Sequence, residues 1–311
     1  MKHKEKKVSI RYVKNNFTII GLTLMLYTLF VLYLPLFIDQ YLDFLPASSP
    51  LKVFTQDNLG VGVLYIIVTL GTLIPFAILQ LSNHIKTKEF FGKCSISFKD
   101  FFVYTIIFIA GTLFAMFITS VLSNYLPIGS SIVTAIGVAL PQSLLYNPIF
   151  FVLYTVAIPI VEEYAFRGVL LRNLGRYGNY FALVTVSALY GLLHGTIASA
   201  IVTYFMSTML VRVTLKYRSI QPAIAMHILF NTVFYIFEMI PVNYNLVTTI
   251  CILLFYTVAL LIFILGFFKR IRVRNRHKQK VVIKLFFTNV TIIISMALLI
   301  IYATIVNFNL I

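Results

Sequence analysis

Acidic charge is scarce in this chain. Of 311 residues only nine are Asp or Glu, against 25 Lys or Arg, and charged residues of both signs make up 11%. Hydrophobic residues account for 60% and the mean hydropathy is +0.95, so too little polar surface exists to cover a core in water. An ordinary soluble domain is excluded. Cysteine is equally sparse: Cys94 lies in a polar link and Cys251 in an apolar run, which excludes a disulfide framework and leaves two inert thiols. A secretory signal is missing too, because Leu36-Phe37-Ile38 offers no small-residue cleavage site after the first apolar run. That run reads as a retained anchor.

What remains is apolar sequence in long blocks. Nine stretches reach the length of about 20 residues that a bilayer crossing needs: roughly 17–37, 60–81, 101–122, 144–164, 181–198, 199–215, 222–240, 246–267 and 285–306. The predicted fold is all-α, a polytopic membrane bundle of about eight to nine transmembrane helices. It divides into a basic cytoplasmic tail 1–16, N-terminal helices 17–122, a core 140–267, a basic cytoplasmic link 268–284 and an accessory C-terminal helix 285–311, expected to be peripheral. Pro46 to Pro50 and Pro127 to Ser131 mark loops, and Pro141 and Pro148 mark the entry to the fourth span.

Basic residues set the expected orientation. Lys2 to Lys14 precede the first span, Lys86, Lys88, Lys93 and Lys99 lie between the second and third, Arg167, Arg172 and Arg176 follow the fourth, and Lys269 to Lys284 precede the last. The link after the first span carries Asp39, Asp43 and Asp57 with only Lys52. This alternation predicts a multi-pass protein of the cell membrane with a cytoplasmic N-terminus. The net charge of +16 is then met by anionic lipid headgroups rather than by nucleic acid.

Six of the nine carboxylates stand in tails or loops, and Glu238 stands near an outer end. Glu162 and Glu163 are different: they sit side by side in an apolar stretch, where ionisable groups are costly and usually functional. His194 and His227 lie in apolar spans as well, whereas His3, His84 and His277 stand among basic residues. Adjacent residues on an α-helix differ by about 100°, so the two glutamates should have different jobs. Glu163 and Arg167 are four apart and can pair, leaving Glu162 to face elsewhere. His227 with Asn231, and Tyr190 with His194, repeat the same offset.

Convergence of these groups would make a polar pocket shielded from lipid. A buried carboxylate can take a proton from water, an imidazole can orient that water or protonate a leaving amine, and His227 with Asn231 can stabilise an oxyanion. Peptide hydrolysis fits this inventory and needs no serine or cysteine nucleophile. Depth agrees for Glu162, placed near the inner end of the fourth span, and for His227, both pointing to a site in the cytoplasmic half. His194 agrees less well, since sixteen residues separate it from Gly178, about 24 Å of straight helix.

Glu162-Glu163-Tyr-Ala-Phe-Arg167-Gly, Tyr190-Gly-Leu-Leu-His194-Gly and His227-Ile-Leu-Phe-Asn231 resemble, in order, the three signature motifs of the CPBP (Abi) family of intramembrane proteases. That group includes the CAAX prenyl endopeptidases and bacterial bacteriocin-processing and self-immunity proteins. The resemblance covers about residues 140–240 and implies an eight-helix CAAX-protease-like core. It further implies that Glu162 activates water with help from His194, that His227 and Asn231 stabilise the oxyanion, and that Glu163 and Arg167 support the first motif. Tyr190 departs from the phenylalanine usual at its position, keeping an aromatic wall and adding a hydroxyl.

A metal-free glutamate mechanism is preferred, and a zinc set of Glu162, His194 and His227 is the alternative. Two competing functions are a non-catalytic scaffold for a cell-envelope enzyme or sensor and a proton-coupled transporter. The expected substrate is a membrane-associated peptide or protein. High Lys and low Ala content suggest a bacterial plasma membrane, where a bacteriocin leader, a peptide pheromone or an envelope protein is favoured over a prenylated one.

Overall fold

The computed structural model describes residues 9–56, 58–126, 148–239, 254–265 and 280–308. Among these, eleven helices follow in order: α1 Ile10–Asp43, α2 Pro50–Gln56, α3 Asn58–Ser82, α4 Phe98–Ser123, α5 Pro148–Gly175, α6 Asn179–Leu192, α7 Ile197–Tyr217, α8 Gln221–Met239, α9 Leu254–Leu265, α10 Lys280–Phe287 and α11 Val290–Phe308. The expected loop Pro127 to Ser131, Pro141, Cys251 and the densest part of the basic link lie outside the described residues. The β contact among the described residues is one antiparallel bridge between Phe91 and Ser219.

Short polar residues start the helices as capping chemistry requires. The side chains of Ser9, Ser97 and Thr196 accept hydrogen bonds from the main-chain N–H of Tyr12, Asp100 and Ser199, two or three residues into α1, α4 and α7. Six of the described helices are long and apolar enough to cross a membrane: α1, α4, α5, α7, α11 and the Gly62–Ser82 part of α3. Apolar side chains cover their outer faces. Ile66, Leu70, Ile74 and Ile78 of α3 recur every fourth residue and are all exposed, a stripe that suits acyl chains rather than water. The chain is thus a multi-pass helical bundle, as its composition requires.

Two of the nine stretches end differently from the sequence-based expectation. The fifth, expected over 181–198, is the fourteen-residue α6, which stops at Leu192. Gly195 at φ +82° reverses the chain there, a conformation that glycine adopts without strain, so His194 sits in a turn and not inside a helix. The fourth was expected to end beside Arg167, yet α5 continues to Gly175. Arg167 does not terminate it because its charge is met internally by Glu163, so it need not reach water.

Hydrogen bonds between helix ends define the two poles of the bundle. Arg176 donates to the Tyr12 hydroxyl and to the Asn83 carbonyl, Asn289 donates to the Lys14 carbonyl, and Ile220 N–H donates to the Phe90 carbonyl. The starts of α1, α8 and α11 and the ends of α3 and α5 therefore share one pole. At the opposite pole Asn307, near the end of α11, donates to the Gly195 carbonyl and accepts from Ile197 N–H. The last helix is consequently more than the peripheral anchor expected of it: it holds the turn that follows His194.

Candidate active site

Proline and helix geometry prepare α5 for polar work. The helix widens to a π-helical turn at Leu153–Ala157 and again at Glu163–Leu170, a distortion that concentrates at functional positions. In the first of these, Ile158 N–H reaches back five residues to the Leu153 carbonyl. The next residue, Pro159, has no N–H to give the Tyr154 carbonyl. Asn231 of α8 supplies the donor instead, its Nδ2 standing 3.1 Å from that oxygen. One amide hydrogen of Asn231 is thereby committed to the main chain of α5, and a second remains.

Glu162 closes the short regular segment Ile158–Glu162 and Glu163 opens the second π turn. The two carboxylates do have different partners. Glu163 is fully buried, and its Oε1 lies 2.9 Å from Arg167 Nη1 and 2.9 Å from His227 Nδ1. The i,i+4 pair was expected from the sequence; the bond to His227 was not. Because a carboxylate only accepts, His227 Nδ1 donates, which fixes the ring and turns Nε2 toward Glu162, 3.9 Å from its Oε2. That gap is wide enough for an intervening oxygen.

Tyr190 binds the other side of Glu162, its hydroxyl donating to Oε2 at 2.7 Å. The same ring carries the Arg167 guanidinium over its face, 4.4 Å from the centroid, and packs against His194 at 4.6 Å. His194 donates through Nδ1 to the Tyr190 carbonyl at 2.7 Å, which leaves Nε2 for a different partner. The hydroxyl that Tyr190 adds to the aromatic wall is thus a direct partner of Glu162. The departure from phenylalanine was the signal.

Arg167, fully buried, makes no directed hydrogen bond to a described residue. Its charge is held by Glu163 and by the Tyr190 ring.

An antiparallel turn explains how Glu162 and His194 come to one depth. Glu162 stands thirteen residues before Gly175 and His194 sixteen after Gly178, roughly 20 Å and 24 Å of helix on either side of the same bend. The distance that troubled the sequence reading of His194 therefore applies to Glu162 as well, which lies at mid-helix rather than near the inner end of its span. His227 needs fewer residues because α8 begins deeper. Its first turn follows Ile220, tied to Phe90, and the buried Phe90 ring lies against Gly168 in the lower part of α5.

Glu162, Tyr190, His194, His227 and Asn231 all line one cavity of about 550 Å³, the size of a small-ligand or peptide site. Its remaining wall is largely apolar and comes mostly from α1 and α3, with smaller parts from α5, α7 and Tyr302 of α11. The cavity occupies the half of the bundle away from the Arg176 pole. Among the described residues no set of three His, Cys, Asp or Glu side chains is grouped as an ion site, and Glu162 Oε2 accepts from Tyr190.

Residues 142–233 match the Rce1-like family, described as type II CAAX prenyl endopeptidase Rce1-like. All three motifs fall within that segment, and the resemblance they carry is borne out. No curated protein and no solved structure matches the chain.

Proposed function

From the Rce1-like segment as premise, we propose that this chain is an intramembrane endopeptidase that cleaves a membrane-associated peptide or protein with water activated by Glu162. The observation that carries the reading is the convergence of Glu162, His194, His227 and Asn231, from three separate segments, on one cavity within an otherwise apolar bundle. Glu162 takes the proton of a water held between its carboxylate and the free Nε2 of His194. The hydroxide oxygen attacks the peptide carbonyl. Its developing negative charge is met by Nε2–H of a protonated His227 and by the second amide hydrogen of Asn231. The proton taken by Glu162 passes to the leaving amine, directly or through His194, and the C–N bond breaks.

Glu163 makes this assignment economical, because its Oε1 accepts from His227 Nδ1 and so aims Nε2 at the cavity. Arg167 pairs with Glu163, and Tyr190 fixes the orientation of Glu162 without removing its second oxygen from the cavity. No step is routed through a metal. Anionic headgroups meet the basic pole of the bundle.

The test is cleavage of candidate membrane peptides by the purified full chain in detergent or liposomes, with Glu162→Gln as comparison. Loss of a general base costs roughly a hundredfold to ten-thousandfold in rate, and unprocessed precursors should accumulate in membranes carrying the variant. Equal cleavage by Glu162→Gln and native protein would falsify the mechanism. An identical membrane proteome at matched expression would leave the chain a scaffold.

A further inference from the structure

Each wall of the cavity comes from the same half of its helix. The lining residues fall at 27–39 of α1, which begins at 10, and at 64–72 of α3, which ends at 82. They fall at 154–162 in the first half of α5, at Tyr190 to His194 where α6 ends, and at Thr203 and Met206 in the first half of α7. Tyr27, Glu162 and the α8 pair His227 and Asn231 sit near their helix midpoints, where the cavity is deepest. Antiparallel neighbours agree because the cavity fills one pole of the bundle, from the carboxylate cluster at its floor to Ile38 and the exposed Asp39 at its mouth.

Charge distinguishes the two poles. The closed pole carries Arg11, Lys14, Lys86, Lys88, Lys93, Lys99, Arg172, Arg176, Lys216 and Arg218, together with Lys280 and Lys284 at the entry to the last helices. The connections at the open pole contain Lys52 as their sole basic residue in the sequence, beside Asp39, Asp43 and Asp57. The excess of Lys and Arg marks the cytoplasmic side of a multi-pass protein. Acidic residues contribute little to that rule, so the contrast rests on the basic residues alone.

We propose that the cavity opens away from the cytoplasm, and that its substrate is an apolar peptide segment presented from the opposite face or the outer leaflet of the membrane. This rests on the proteolytic reading for the word substrate, but the sidedness stands on geometry and charge alone. From Tyr27, beside the cluster, to Asp39 is twelve residues of helix, about 18 Å. An extended peptide covers that distance in about five or six residues. The cleaved bond then lies five or six residues deep, in the outer half of the bilayer. A cytoplasmic chain modified at its C-terminus would have to cross the basic pole to reach it, so an exported or outer-leaflet peptide is the fitting class.

Cysteine labelling in intact cells tests the orientation. Cys94, exposed in the link between α3 and α4, serves as an internal reference for the closed pole. Two full-length chains are compared: one with Cys251→Ser and Cys94 retained, the other with Asp39→Cys and both native cysteines replaced by serine. A membrane-impermeant maleimide should label Asp39→Cys equally before and after lysis, and should label Cys94 at least tenfold more after lysis. Tyr41→Cys, exposed two residues further along α1, is the second variant at the open pole should Asp39→Cys fail to accumulate. A reversed pattern, with Cys94 labelled in intact cells and the α1 cysteines protected, overturns the proposal.

Cleavage separates this result from the proteolytic reading. Leu64→Cys, which lines the cavity, should lose cleavage of a reporter peptide when impermeant maleimide is added outside intact cells. Expected labelling without any Glu162-dependent cleavage keeps the sidedness and removes the protease. Glu162-dependent cleavage with reversed labelling keeps the protease and removes the sidedness.

Discussion

One oxygen of Glu163 faces both a guanidinium and an imidazole, and this sharing decides how the site answers to substitution. Glu163→Gln leaves Arg167 buried without its counter-charge, an error that costs about 3–5 kcal/mol. The expected result is a large fall in melting temperature in detergent. Adding Arg167→Leu should restore part of it, because an apolar residue of similar reach needs no partner in the same place. If both variants melted with the native protein, the pair would have no structural weight. The Glu163–Arg167 pair was legible in the sequence, since four residues separate its members and helical neighbours at that spacing meet. The bond from Glu163 to His227 was not. Its partners are 64 residues apart, and spacing along one helix says nothing about which second helix will face it.

At the scale of elements, α5 combines apolar length with two π-helical turns and a proline, and the combination gives α8 its handhold. Pro159→Ala would return an N–H to the helix and let it compete with Asn231 for the Tyr154 carbonyl. Asn231 would then lose the bond that orients it. The expected effect is a fall in kcat of roughly tenfold to a hundredfold with KM nearly unchanged, in line with a small misplacement of a group near the reacting atoms. Steady-state cleavage of a reporter peptide measures both constants, and a rise in KM with constant kcat would point to a binding role instead. Hydropathy located most of these helices because long apolar runs have few alternatives in a membrane. It misjudged two ends for identifiable reasons: an arginine neutralised inside the bundle mimics a helix terminus, and a short helix ended by Leu-Leu-His-Gly reads as an uninterrupted span.

For the whole molecule, packing of first helix on last depends on one small residue. A Cβ at Gly21 would meet the Thr291 side chain and lie 2.6 Å from its main-chain carbon. Gly21→Val should therefore force α11 away from α1, with a loss of about 1–3 kcal/mol typical of overpacking. Cleavage and melting temperature should fall together; unchanged values for both would show that the helices separate without consequence. Long-range proximity of this kind had no sequence signal, as Gly21 and Thr291 are 270 residues apart and both helices are simply apolar. Charge at the helix ends, by contrast, was visible throughout, and it was the location of the cavity relative to that charge that required coordinates.

Asn307 carries a temporal consequence. The side chain that clamps Gly195 and Ile197 belongs to the final described helix, so the turn beside His194 is still unbraced while the earlier helices are being inserted. A membrane intermediate lacking Val290–Phe308 would hold Glu162, His194, His227 and Asn231 yet leave the loop between α6 and α7 without this clasp.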